Sequence, residues 1–490
     1  MSERYRSSSA SRDPLESVHG RIALEFLRSA LVRDSEVMPT DRILGFLARR
    51  NREVSTSVRV VPLKDLRQWR FAEETGDLVH VSGRFFTIHG VRVSTDWGPV
   101  DCWDQPIINQ SEIGILGILA KKIDGVLHFL LQAKIEPGNV NVVQVSPTLQ
   151  ATRSNYSRVH HGRRPAFLEY FNGERPVRVL LDQLQSEQGA RFLRKRNRNI
   201  IVEVASDEAL EVPDDFFWAT LGQVKALLRH DNVVNMDTRS VISGIPLGPC
   251  DPGSLDGLPA PGSQGALQDH RMTSSLHGCD SLHGFEQITS WITRLKSTHD
   301  LHVSRIPLRA VRDWENDGVA IRHRSGRYFT IIGVDAQIDS REVMRWDQPM
   351  IQPAQEGLVA FLTKKIDGIH HFLVQAKLEP GNMDIIELAP TVQCLTGNYR
   401  TGQSEYSVPF INDVLDAAPG RAWYSALQSE EGGRFYREQN RNMIVEVGDD
   451  FGVEVPDHYC WMTLRQLQTL ILFNNFLNVA ARSLIAAVAF

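Results

Sequence analysis

Lys134 and Glu136 lie two residues apart in the stretch HFLLQAKIEPGN, which starts at His128. Read with the two-residue period of a strand, Phe129, Leu131, Ala133 and Ile135 share one face, and His128, Gln132, Lys134 and Glu136 share the other. The first face reads as core and the second as chemically equipped. A lysine can polarise a carbonyl and a glutamate can move a proton, and partial burial shifts the pKa values of such a pair as catalysis requires. An adjacent lysine and glutamate can also simply satisfy each other, and a lone histidine near a strand entry, such as His128, is more often structural. Further along, RSNYSRVHHGRR carries Asn155, Tyr156, Arg158 and His160, which puts an acid, an anion ligand and a base in one loop. The stretch VNMDTR adds Asn235, Asp237 and Thr238. Residue type alone does not assign acid and base among Lys134, Glu136, Tyr156 and His160.

The strand is written twice. HFLVQAKLEPGN begins at His371, and aligning Trp103 with Trp346 gives an offset of 243 residues, with 27 identities in the 54 ungapped positions from Trp103 to Tyr156. The same offset carries LQSEQGARF onto LQSEEGGRF and NRNIIVEV onto NRNMIVEV. The chain is therefore an internal duplication of units too long for a solenoid repeat. The boundaries read as a disordered tail over 1–14, a first repeat over 15–247, a Pro/Gly/Ser-rich linker over 248–280 and a second repeat over 281–490. The copies are unequal. Arg158 and His160 have no counterpart in TGNYRTGQSEYS, and Ala480 and Ala481 stand where the first copy has Asp237 and Thr238, so the first repeat reads as the reacting one and the second as vestigial.

Short β-rich runs dominate each copy, among them RFFTIHGVRV, VLHFLLQAKI after the turn signal Asp124-Gly125, VNVVQVS and NIIVEV. Thr220 with Gln223, and Thr463 with Gln466, form capping boxes ahead of helices. Two amphipathic helices precede the first sheet. The fold class is α+β, two tandem homologous domains, each a largely antiparallel or mixed sheet with helices.

Composition narrows the function. At 490 residues with 42% hydrophobic and 23% charged residues, the chain has the make-up of an ordinary soluble globular protein. The apolar C-terminal stretch is interrupted by Asn474, Asn475, Asn478 and Arg482, so it reads as packed terminal helix and no membrane partner is expected. The N-terminus shows no apolar secretory core, so a cytoplasmic protein is expected. A net charge of -5 argues against nucleic acid. Within RKRNR, the charges Arg194, Lys195 and Arg196 do not all recur and read as a solvated helix face. Five scattered cysteines form no zinc or disulfide pattern, no histidine cluster has metal-ligand spacing, and no G-x-G-x-x-G fingerprint is present, so no metal or cofactor is expected.

The stretches WDQPIINQ, HFLLQAKIEPGN, SPTLQATRSNYSRVH, LQSEQGARFLRKRNRN and VNMDTRSVIS together resemble the NDP-hexose 2,3-dehydratase family of deoxysugar and antibiotic biosynthesis, across both copies. The resemblance implies a duplicated Nudix-like fold, a homodimer, dTDP-4-keto-6-deoxyglucose as substrate and a downstream 3-ketoreductase that consumes the unstable product. Removal of the C3 hydrogen beside the C4 ketone and expulsion of the C2 hydroxyl would give dTDP-3,4-diketo-2,6-dideoxyglucose through an enol. Such a reaction needs a base, an acid and an oxyanion donor but no cofactor. Neither copy contains the Nudix metal box; Glu187 and Gly189, or Glu430, Glu431 and Gly432, are the nearest approach, which disfavours a hydrolase. On this reading Lys134, Glu136, Tyr156 and His160 are the catalytic candidates. Substrate contacts fall to Trp103, which could stack on thymine or sugar, to Gln132, Asn155, Arg158 and Gln185, to the recurring Arg191 and Arg198 as phosphate ligands, and to Asn235, Asp237 and Thr238. A non-catalytic sugar-nucleotide binding protein is the alternative from another class, and the unequal copies separate it from an enzyme.

Overall fold

The computed structural model describes residues 14–152, 164–247, 281–341, 343–394, 408–418 and 420–489. Local chemistry builds the same sheet twice. Asp124 and Gly125 have φ of 51° and 79°, the doubly positive turn that suits twisted hairpins, and Asp367 and Gly368 repeat it at 48° and 85°. These turns fold strand Gly114–Ile123 against Val126–Ile135 and strand Gly357–Ile366 against Ile369–Lys377, antiparallel. In the first half the seven-stranded sheet runs Arg178–Ser186, Arg196–Val204, Gly114–Ile123, Val126–Ile135, Phe216–Ala219, with two short strands added at its centre. Arg196–Val204 pairs with Gly114–Ile123 in parallel and the other described pairings of this sheet are antiparallel, which makes the architecture α+β with a mixed sheet.

Both faces of the strand Val126–Ile135 are covered. Leu127, Phe129, Leu131, Ala133 and Ile135 join the main core, where Phe26 of helix Pro14–Leu31 stacks on Phe129 at 6.2 Å. The opposite face is not simply polar, since Leu130 anchors a second cluster with Leu119, Leu149, Phe171 and Ile200. Strict alternation therefore understates the burial: Lys134 and Glu136 are each only 7% exposed. His128 is structural, its ring bonded to Ser35 Oγ at 2.8 Å and to the Val126 carbonyl at 3.0 Å.

Both capping boxes form, Thr220 with Gln223 and Thr463 with Gln466. The C-terminal apolar stretch is two helices, Leu464–Ile471 and Val479–Ala487, because Asn475 turns the chain with φ of 61° and Asn478 caps the second helix. Among the described residues no helix is long and apolar enough to cross a membrane. The RKRNR run feeds a strand rather than a helix, and within it Arg194 is exposed while Lys195 is buried.

The two halves are interleaved. Strand Thr56–Val61 of the first half pairs with Phe329–Ile338 of the second, and Leu301–Ile306 of the second half pairs with Thr87–Thr95 of the first. Each five-stranded sheet thus borrows its edge strand from the other copy. The repeated EPGN segments lock the arrangement. The Gly138 N–H donates to the Gly432 carbonyl and the Arg437 N–H to the Gly138 carbonyl, both at 2.8 Å, and Gly381 repeats this with Gly189 and Arg194 at 2.7 Å. A Cβ at Gly138 would fall 1.7 Å from the Phe435 carbonyl, and one at Gly381 equally close to that of Phe192, so only glycine permits the approach. Helices Met236–Ser243 and Val479–Ala487 complete the seam, with fully buried Arg239 donating to the Ser429 carbonyl at 2.6 Å and to Ser483 Oγ at 2.7 Å.

Candidate active site

A cavity of about 350 Å³ opens between the first half's large sheet and the second half's segment Glu431 to Arg434. That volume falls in the range of small-ligand sites. Lys134, Glu136 and Asp237 line it from the first half, joined by Glu187, Lys195 and Asn197. The second half contributes Trp346, Gln348, Glu431 and Arg434, with half-buried Arg341 and exposed Arg345.

Gln150 organises the strand end that carries Lys134 and Glu136. Its amide donates to Glu136 Oε1 at 3.0 Å, its Oε1 accepts from Ser146 Oγ at 3.0 Å, and its backbone carbonyl accepts from Lys134 Nζ at 3.3 Å. The other Glu136 oxygen is buried without a hydrogen-bond partner. Asn235 caps the helix Met236–Ser243 by accepting from the Thr238 N–H at 2.8 Å, and this cap holds Asp237 in the first turn, at the cavity wall.

The electrostatics follow from crowding acids in a place poor in water. Glu136, Glu187, Asp237 and Glu431 face Lys134, Lys195 and Arg434 across one space. Burial holds the Asp237 carboxyl well above its ordinary range, and Glu431, Glu187 and Glu136 push it further while Lys134 opposes them. Burial pushes Glu431 up to about 8, with Arg434 and Lys195 pulling down and Glu136 and Glu187 pushing up. Glu187 is raised by the same burial even though Asn197 donates to it at 2.6 Å. Lys195 is lowered by desolvation although Glu187 stands beside it. Arg434 lies over the Phe86 ring, its guanidinium carbon 4.3 Å from the centroid. The cavity therefore favours the neutral form of Asp237 and Glu431 in the company of Glu136 and Lys134, which suits proton transfer at carbon next to a carbonyl.

The structure brings together Lys134, Glu136 and Asp237, with Asn235 behind them. Asn155, Tyr156, Arg158 and His160 lie outside the described residues. The other sequence candidates go elsewhere. Trp103 packs against the cluster of Val91, Val93 and Ile107, while its second-half equivalent Trp346 lines the cavity, as does Trp69. Arg191 is likewise replaced: its guanidinium sits 4.2 Å from the Phe329 centroid among Glu438, Glu379 and Glu430, while Arg434 serves the cavity. Arg198 pairs with Asp182 at 2.6 Å, Gln132 donates to Asp215 at 2.7 Å, and Gln185 donates to the Ile471 carbonyl at 2.9 Å across the seam. Thr238 Oγ1 donates to the Val145 carbonyl at 3.1 Å, a structural use.

Sequence reasoning missed Lys195 and Glu431 as site residues. The signal that finds them is the one that found Asp237, a charge present in one copy and changed in the other. Lys195 aligns with Glu438, and Glu431 aligns with Gln188.

The family model described as NDP-hexose 2,3-dehydratase matches residues 40–245 and again 285–488. A dTDP-4-dehydro-6-deoxy-alpha-D-glucopyranose 2,3-dehydratase of Saccharopolyspora spinosa is 46% identical over 487 residues, covering 99% of this chain and 98% of that protein. Relatives with the same description in Amycolatopsis orientalis and Streptomyces violaceoruber are 43% and 45% identical, covering 96% and 87% of this chain and 93% and 92% of their own lengths.

Proposed function

The chain belongs to the NDP-hexose 2,3-dehydratase family, and from that membership we propose that it dehydrates dTDP-4-keto-6-deoxyglucose in the cavity shared by its halves. It is a hydro-lyase of deoxysugar biosynthesis. The reaction breaks the C3–H and C2–O bonds, forms the C2=C3 bond and releases water; the resulting enol tautomerises to the 3,4-diketone.

Glu136 is the base for the C3 proton, because one of its oxygens is held by Gln150 and the other is left unpartnered. As negative charge moves onto the C4 oxygen, Lys134 and the neutral carboxyl of Asp237 donate to it. Trp346 and the arginines Arg341 and Arg345 are suited to the nucleoside and diphosphate at the more open end of the cavity. Tyr156 and His160, outside the described residues, stay catalytic candidates on the family resemblance. The observation that carries this reading is the convergence of Lys134 and Glu136 with Asp237, about a hundred positions further along the chain, on one cavity.

Other family features are carried over with it: a homodimer in the cytoplasm, a Nudix-like ancestry for each mixed sheet, a place in antibiotic biosynthesis and a 3-ketoreductase that takes up the diketone. We treat 15–247 and 281–490 as obligate partners rather than independent domains, a view supported by the exchanged edge strands. The decisive assay is incubation with dTDP-4-keto-6-deoxyglucose, a 3-ketoreductase and its reduced nicotinamide, with products followed by mass and NMR. Loss of the C2 oxygen is expected, and a reduced product that retains it would sink the reading. Light scattering tests the dimer.

A further inference from the structure

Relating the halves through their 243-residue offset shows a shared scaffold with different charges around the strand that carries Glu136. The Glu136, Gln150 and Asn235 chain reappears as Glu379, Gln393 and Asn478, with Gln393 donating to Glu379 at 3.1 Å and Asn478 to Gln393 at 2.6 Å. What changes is the charge set: Asp237 becomes Ala480, Lys195 becomes Glu438, and Glu431, which the second half inserts into the first half's cavity, is matched by Gln188.

Among the acids of this cavity Glu431 differs in its setting. Asp237 is only 3% exposed, and Glu187 is tied by the Asn197 amide. Glu431 is half-buried, lines the open space, and makes no side-chain hydrogen bond among the described residues. Its backbone is firmly placed, since its carbonyl accepts from the Arg434 and Phe435 N–H groups at 3.2 and 3.0 Å. The groups that face it are Arg434 from its own segment, Glu136 from the catalytic strand, Glu187 and Lys195 from the adjoining turn, and Asp237 from the capped helix.

We propose that Glu431, delivered by the second half, is the catalytic acid that protonates the C2 hydroxyl as it leaves from substrate bound in the first half's cavity. This rests on the dehydration assigned above. The Glu431 proton goes to the C2 oxygen while the C2–O pair departs as water, and the C3–H pair forms the double bond as Glu136 takes the C3 proton. When the enol tautomerises, C2 takes a proton from Glu136 and the C3 hydroxyl returns one to Glu431, so both groups are reset. Because burial sets the carboxyl near 8, it stays protonated at neutral pH. The duplication is retained for a chemical reason: the copy without its own reaction supplies the acid for the other.

The test compares leaving groups. Wild-type protein is given the natural 4-keto substrate and its C2-fluoro analogue, from which fluoride departs with far less need of a proton. Wild type inactive on the natural substrate would be the failure of the dehydratase reading, not of this one. With wild type active, Glu431→Gln should lower kcat on the hydroxyl substrate on the order of a hundredfold, the scale of general acid catalysis. On the fluoro substrate the loss should shrink to a tenth of that or less. Equal losses on both, or a kcat within threefold of wild type on the natural substrate, would overturn the proposal. If the variant does not fold, wild type alone decides: kcat should fall as pH rises through about 8 with hydroxide as leaving group and not with fluoride. An identical alkaline limb for both substrates would overturn it equally.

Discussion

Around Glu136 and around Glu379 the protein builds the same hydrogen-bonded frame, a carboxylate held by a glutamine that is in turn close to the N-cap asparagine of a helix. Beyond that frame the two regions part. The first gathers Asp237, Glu187 and Glu431 against Lys134, Lys195 and Arg434; the second gathers Glu430 and Glu438 near Arg191, with Ala480 where an acid would be. Each region draws its arginine from the opposite half, and each arginine rests on a phenylalanine of its host, at 4.3 and 4.2 Å. The frame is thus a property of the fold, shared by descent, and the chemistry is a property of the few charges placed on it. A repeat can keep its architecture while the charges set on it diverge.

The largest expected effect breaks the symmetry directly. Glu136→Gln should lower kcat on the order of a hundredfold or more, the scale of losing a general base, while Glu379→Gln should leave it nearly unchanged. Steady-state rates divided by the folded fraction measure this, and equal losses in folded protein would mean that both regions react.

Next comes the acid that only one region has. Asp237→Ala, which copies Ala480, should lower kcat by about tenfold to a hundredfold through loss of an oxyanion donor, with a smaller change in KM. An unchanged kcat would remove Asp237 from the chemistry and leave it as buried structure.

A stability measurement should show the frame to be equal where the chemistry is not. Gly138→Ala and Gly381→Ala each force a Cβ onto a carbonyl of the other half. Each should cost about 1–3 kcal/mol or more, the scale of core overpacking. Denaturant midpoints for the two variants should agree; a large inequality would show that the interlock matters at one site only.

The smallest effect concerns pH. Glu438, beside Arg191, has both carboxyl oxygens buried without hydrogen-bond partners, and burial pushes it from 4.5 up to about 8. Its folded pKa lies above its unfolded one, so its contribution is fully present below about 4.5, is lost as pH rises, and is exhausted above about 8. Glu438→Gln removes this, so the fall in Tm from pH 6 to 8.5 should be shallower than in wild type while kcat stays the same. A parallel pair of melting curves would show that the carboxyl already ionises normally.

Much was readable one residue at a time. The duplication, the α+β class, the Asp-Gly hairpin turns, the two capping boxes and the strand that carries Lys134 all rest on local spacing, which survives in any arrangement of the halves. Even the site's asymmetry at Asp237 and Ala480 can be read by aligning the chain with itself. Periodicity failed where burial came from a distance: Leu130 sits on the strand face that alternation called polar, because the segment from Phe167 to Phe171 covers it. Lys195 looked like one more solvated charge until the parallel strand carried it inside.

What the sequence determined by itself is therefore the inventory: two copies, their elements, and the short list of charges that differ between them. Only the tertiary structure decided which copy's residue serves which cavity. Arg191 and Arg434, or Trp103 and Trp346, occupy equivalent positions in the repeat, and nothing local distinguishes them. The choice is made by the exchanged edge strands and by the EPGN segments packed against the opposite half, contacts between residues more than two hundred positions apart. Those contacts carry Arg434, Trp346 and Glu431 across to Glu136 and take Arg191 away from it, because a backbone approach that admits only glycine leaves the neighbouring side chains one place to go.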